Sequence, residues 1–247
     1  MNLKSVKIIL AVILIYLILF EFIFTSNKIF PSASVIWLST IELFDKYNFL
    51  INLISTISAV YISIIFNYLL TKIFFRYLTK YQSDKMISSY KNNFVNLITF
   101  IPFFFISLIF VLWLPEFVLT KYLVASLVLF SFTLNELLSQ KENDSSEYYD
   151  FYKSLGLKKT TIINKILFKL KEPEFFNSQL KNHSLIWSVI LIVEFLQQQE
   201  GIGNILRIAF KYQDISITYT ITLFISLTVY LLHFAFRKLY NKIYFWK

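Results

Sequence analysis

Cysteine is absent from the 247-residue chain, glycine occurs three times, proline four times, and charged residues make up only 16%. Without cysteine there can be no disulfide, thiol nucleophile or cysteine-based metal site. Three glycines and four prolines are too few turn residues for the many strands of a β-barrel. So little charge also separates the chain from water-soluble domains, in which about a quarter of residues are charged. No Gly-x-x-x-x-Gly-Lys-Ser/Thr run occurs, so the chain carries no phosphate loop of its own.

What is present is apolar: 57% of residues are hydrophobic and the mean hydropathy is +0.61. Backbone polar groups in lipid must be satisfied within the segment, so continuous apolar runs read as helices. A span needs roughly 20 residues at 1.5 Å rise each. The runs Val6–Phe24, Phe49–Phe75, Phe94–Leu114, Phe117–Leu138, Ser184–Gln199 and Ile215–Phe236 predict an all-α membrane protein of about six transmembrane helices. The first run follows Lys4 and Lys7 as a signal peptide would. Its apolar stretch of about 17 residues exceeds the usual ~7–15, so it reads as a retained span.

Lysine and arginine fix the expected orientation, because cytoplasmic flanks retain positive charge. The two termini and the loops after the second and fourth spans carry eighteen of them, among them Lys4, Arg76, Lys141, Lys158 and Arg237; the opposite side carries four, Lys28, Lys46, Arg207 and Lys211. Both termini are therefore expected in the cytoplasm. The asymmetry accounts for most of the +9 net charge, and with no sizeable soluble domain to concentrate it, nucleic acid is not an expected partner.

The chain divides into residues 1–48, a first span with an extracytoplasmic loop, and residues 49–247, which hold the remaining spans and a cytoplasmic loop at 139–183. Within that loop Tyr148, Phe151, Tyr152 and Leu155 recur at helical spacing, Gly156 interrupts, and Ile162, Ile163, Ile166, Leu167 and Leu170 form a second stripe. Glycine between two amphipathic stripes predicts helix, left-handed turn, helix. Such a pair could rest on lipid headgroups through Lys158, Lys159, Lys165 and Lys169.

The loop also resembles a family motif. Permeases of binding-protein-dependent ABC importers carry Glu-Ala-Ala, three residues, Gly, nine residues, Ile, one residue, Leu-Pro. Here Asp150-Phe151-Tyr152, three residues, Gly156, nine residues and Ile166 follow that spacing, without the alanines or Leu-Pro. Downstream, Glu194 followed by Gly201-Ile202-Gly203 is similar to a segment of the nitrate, sulfonate and taurine subgroup. Upstream, Pro31-Ser32-Ala33-Ser34-Val35, Pro102 and Trp246 fall at further subgroup positions.

This resemblance implies a type I importer permease in the bacterial plasma (inner) membrane, working as a pair of like or homologous chains. A cytoplasmic ATPase dimer would hold ATP and Mg, and an extracytoplasmic binding protein would deliver the solute. The permease itself would carry no cofactor and no catalysis. Asp150, Phe151, Tyr152, Gly156 and Ile166 would be the ATPase-coupling residues. Glu194, Gly201 and Gly203 would belong to the path or gate. The subgroup's usual glycines in spans two to four are replaced by Ser, Ala and aromatics, which implies altered packing.

Glu194 lies about ten residues into its span, roughly 15 Å deep. A carboxylate there must be neutral, paired or facing water, so it lines the path or is bonded between packed helices. Glu21 and Lys121, nearer span ends, are expected to snorkel. His183 and His233 have no second ligand at i+3 or i+4, which argues against metal. Two other readings remain: a non-transporting permease homologue, and a polytopic membrane enzyme built on Glu142, Asp144, Glu147 and Asp150. The spacing of those acids suits helix-dipole compensation better than chelation.

Overall fold

A computed structural model describes residues 3–24, 30–80, 101–115, 117, 119–139, 151–158 and 161–246. The described residues are helical, with no strand among them. Helix α1 (Leu3–Leu17) passes into a π-helical stretch, Ile18–Ile23. Then come α2 (Ala33–Lys46), α3 (Phe49–Lys80), α4 (Phe103–Trp113) and α5 (Thr120–Ser139). A π-helical segment Ile162–Leu167 leads into α6 (Phe168–Lys181), followed by α7 (His183–Gln197), α8 (Ile202–Lys211) and α9 (Ile215–Ile243).

Two helical stretches, Phe49–Phe75 and Ile215–Ile243, are long and apolar enough to cross a membrane. Four shorter apolar ones are Leu14–Ile23, Phe103–Trp113, Thr120–Leu134 and His183–Gln197. The expected third span, Phe94–Leu114, begins outside the described residues, and its described helix starts directly after Pro102. Proline suits that position, since a first helical turn has no intrahelical use for its N–H.

Helix α3 is amphipathic in the sense opposite to a soluble helix. Thr56, Ser63, Asn67 and Thr71 form its buried stripe, each 0% exposed, while Ile54, Ile65, Leu69 and Ile73 face outward. In water this would waste the hydrophobic effect; in lipid, polar groups turn inward to find partners and aliphatic groups meet hydrocarbon.

The centre of the bundle is α7, against which α4, α5 and α3 pack. Its Ile186, Val189, Ile190 and Val193 interlock with Ala59, Val60 and Ile64 of α3 and with Val124, Ala125, Val128 and Leu129 of α5. Ala59, Ser63, Ala125 and Ser126 are all buried at or beside the α3–α5 contact. Small residues allow close backbone approach in membrane helix pairs, and alanine and serine provide it here. Ser63 Oγ bonds Ala59 O at 2.7 Å, satisfying the hydroxyl within its own helix.

Two helices were not legible as such. Residues 30–48, expected as a loop, contain α2, and the connection between spans five and six contains α8. Leu43 of α2, Ile202, Ile205 and Ala209 of α8, and Ile217 and Ile221 of α9 close around Phe49 as a second core. The i, i+3, i+7 spacing of Ile202, Ile205 and Ala209 was the available signal. The far half of the expected loop also differs from expectation, because α6 is an inner helix. Phe168, Phe175, Gln179 and Leu180 are buried, and α6 packs on α5, α9 and α3.

Candidate functional site

Two places collect the residues singled out in the sequence. The first lies where α7 turns into α8. Gln198 (φ 58) closes α7, and Gly201 (φ 149) precedes the first turn of α8. The chain folds back on itself there, so that Glu194 on the last turns of α7 faces the start of α8. Both its oxygens are engaged. Thr56 Oγ1 lies 3.1 and 2.9 Å from them, Lys121 Nζ 3.1 Å from Oε1, and the Gly203 N–H donates to Oε2 at 3.1 Å. Thr56 Oγ1 in turn accepts the Ile202 N–H at 2.9 Å, and Asn52 Oδ1 accepts that of Gly201 at 2.8 Å. Three of the orphan N–H groups at the start of α8 are thus satisfied by side chains from α3 and α7, with the carboxylate at the positive end of the helix dipole.

Lys121 is the correction to the sequence reading. It does not snorkel: it is 3% exposed, and its ammonium bonds Glu194, Ser55 Oγ (2.9 Å) and Glu200 O (2.7 Å). All three of its N–H donors have acceptors, the condition under which a buried charge is tolerated. Glu194 and Lys121 are 0% and 4% exposed at the side chain, and two opposite charges at similar depth in separate apolar runs were the signal for pairing. Glu21, by contrast, is not enclosed; it accepts the Ser34 N–H of α2 at 3.3 Å.

The glycines follow from this closure. A Cβ on Gly201 would lie 2.0 Å from Glu194 Cδ, and one on Gly203 2.3 Å from Leu191 O. No side chain fits at either position without displacing the carboxylate or the α7 backbone.

The second place is the loop motif. Phe151–Ser154 is helical, Leu155–Gly156 turns, and Gly156 has φ 79, the left-handed stop the pattern predicted. Asp150, with the acidic residues at 142–147, lies outside the described residues. Phe151 is 58% exposed and Leu155 62%, whereas Tyr152 packs inward against Ile162 and Leu167, a cluster joined by Phe75. Ile166 is half-buried. Behind this corner, Tyr68 OH donates to Glu172 at 2.7 Å, Lys169 pairs with Glu172 and Lys181 with Glu136. Asn67 and Gln179 both donate to Thr133 Oγ1 at 3.0 Å, pinning α3, α5 and α6 together. The exposed corner is therefore connected through α6 directly to α7, with only Asn182 between them.

His183 and His233, isolated in sequence, are neighbours in space, their ring centroids 5.6 Å apart. Among the described residues no group of three or more metal-ligating side chains forms.

Set against known families, residues 81–243, about two thirds of the chain, match the binding-protein-dependent transport system inner membrane component. Comparison with curated proteins and with solved structures returns no match.

Proposed function

The chain belongs to the family of binding-protein-dependent transport system inner membrane components, and on that premise we propose that it is the six-span permease of an ABC importer, docking its ATPase through the corner around Gly156. The carrying observation is the pairing of exposure with rigidity. Phe151 and Leu155 present apolar surface outside the bundle, while the segment beyond the turn is anchored by Ile162, Leu167, Phe168 and Phe175. Exposed aromatic and aliphatic groups on a rigid support are the usual make-up of a docking surface.

A load on that corner has a short path to the transmembrane core. It enters α6, whose polar bonds to α3 and α5 prevent independent movement, and passes across Asn182 into the central helix. ATPase closure would then move spans as rigid bodies and expose the path alternately to either side. In this reading a second permease chain completes the path, the corner and both termini face the cytoplasm, and a binding protein presents solute at the α7–α8 end. Glu194, fully enclosed, with Gly201 and Gly203, serves as a fixed joint holding α8 onto α7 rather than as a solute contact.

The test is association with the ABC ATPase that this reading requires. Phe151→Asp and Gly156→Val are expected to leave the chain in the membrane while cutting ATPase co-purification at least fivefold, whereas Leu38→Ala, on an exposed face of α2, should leave it unchanged. Full co-purification of the ATPase with both corner variants would remove the corner as the docking element.

A further inference from the structure

Between α7 and α9 lies a groove of about 430 Å³ that the joint and the docking corner leave unused. Two stripes at helical spacing face each other across it. Helix α7 contributes Ser184 and Ser188, four residues apart, with His183 and Trp187; α9 contributes Ser226, Tyr230 and His233. The short serine side chains leave the space between the two helices unfilled along this line, and the hydroxyls of Ser188 and Ser226 donate to carbonyls of their own helices.

The groove is chemically incomplete. His183 is 1% exposed and Trp187 2%. Among the described residues neither ring nitrogen of His183 nor the indole Nε1–H of Trp187 has a hydrogen-bond partner. Buried polar atoms are nearly always satisfied, so three unsatisfied ones on adjacent side chains call for a partner outside the described residues. Tyr230 is 65% exposed and Ser184 is exposed as well, so hydroxyls stand at the open side of a groove otherwise lined by Leu191, Ile225 and Val229. At membrane depth such a face turns to a path or another protein chain rather than hydrocarbon.

The geometry points to a solute-binding site, and its chemistry selects the class of solute: a small, neutral, planar nitrogen heterocycle of one or two rings bearing both a donor and an acceptor. The lining contains no Lys, Arg, Asp or Glu, so nothing in it compensates a formal charge. The exposed phenol of Tyr230 and the half-buried imidazole of His233 supply flat surfaces for stacking. An imidazole in its neutral form offers one donor and one acceptor, and the indole a further donor. A volume of this size is at the small end of ligand pockets. The assignment rests on the importer reading in one respect, that the open side faces the path between two permease chains.

The experiment uses the full chain, purified and reconstituted in liposomes, carrying Trp37→Phe, Trp113→Phe and Trp246→Phe so that Trp187 is the remaining tryptophan. Uracil, nicotinamide and adenine are titrated as neutral heterocycles, nitrate and taurine as charged probes, and Zn²⁺ as a metal probe, with Trp187 fluorescence as the readout. At least one heterocycle should give a saturable change, weakened at least tenfold by His183→Leu and by Tyr230→Ala; the latter changes an exposed side chain and keeps the fold. The charged probes and Zn²⁺ should give none. The assignment is overturned if no heterocycle responds, if both variants respond as the parent does, or if only nitrate, taurine or Zn²⁺ responds. ATPase co-purification is scored in parallel on the same variants. Its loss with heterocycle binding intact counts against the importer reading alone, and intact association without binding counts against this site alone.

Discussion

Helix α7 carries two buried polar clusters about three turns apart, and they are opposites. At Glu194 every charged or polar atom has a partner: three donors converge on one carboxylate, and the ammonium beside it has three acceptors. At His183 two ring nitrogens and a neighbouring indole N–H have none among the described residues. The first cluster is charged and closed; the second is neutral and open along one side. Saturation is what distinguishes a polar group that holds a fold together from one kept ready for something else. In a membrane, where water cannot stand in for a missing partner, the distinction is sharper than in a soluble protein.

The comparison breaks first, if it breaks, at Lys121. Lys121→Leu strips the ammonium from a fully buried carboxylate and is expected to cost about 3–5 kcal/mol, read as a large fall in unfolding midpoint in detergent or nanodiscs. Lys121→Leu with Glu194→Leu should recover most of that loss, because two apolar groups replace a desolvated pair. A double variant as unstable as the single would mean the pair is not what holds the joint.

Gly201→Ala tests the same joint from the backbone side. The added methyl meets the Glu194 carboxylate at a φ that residues other than glycine rarely adopt, for a cost of about 1–3 kcal/mol. Limited proteolysis should then release the α7–α8 connection before the rest of the chain. Equal protection of that connection in variant and parent would show that α8 is held by its apolar face alone.

The smallest effect is expected at the open cluster. His183→Leu removes two unsatisfied nitrogens and keeps an apolar side chain of similar bulk against Phe236 and Trp187, so stability should change by less than about 0.5 kcal/mol or rise. A fall in the unfolding midpoint as large as that of Gly201→Ala would place His183 among the structural groups and erase the contrast.

Several features could be read from the sequence because they depend on local pattern. The scarcity of charge, glycine and proline set the fold class. The apolar runs located the starts of α3, α5, α7 and α9 to within three residues, while α3 and α9 run on past their expected ends. Gly156 announced its left-handed turn by interrupting two stripes. The spacing of Asp150, Gly156 and Ile166 pointed to the family that the match over residues 81–243 establishes.

Tertiary structure decided the partnerships, which no local pattern encodes. Lys121 and Glu194 are 73 residues apart, and only the packing of α5 against α7 turned a lysine near a span end into an internal counter-charge. The same packing added the Glu194 carboxylate to the constraint on Gly201, whose φ already favours glycine, and made Gly203 necessary by placing the α7 backbone at Leu191 against it. Helix α6, hydrophilic enough to read as loop, is buried because α3 and α5 offer Tyr68 and Thr133 to its Glu172 and Gln179. His183 and His233 became a pair only when α9 crossed α7. A sequence states which groups must find partners in lipid; the arrangement of the helices determines which of them do.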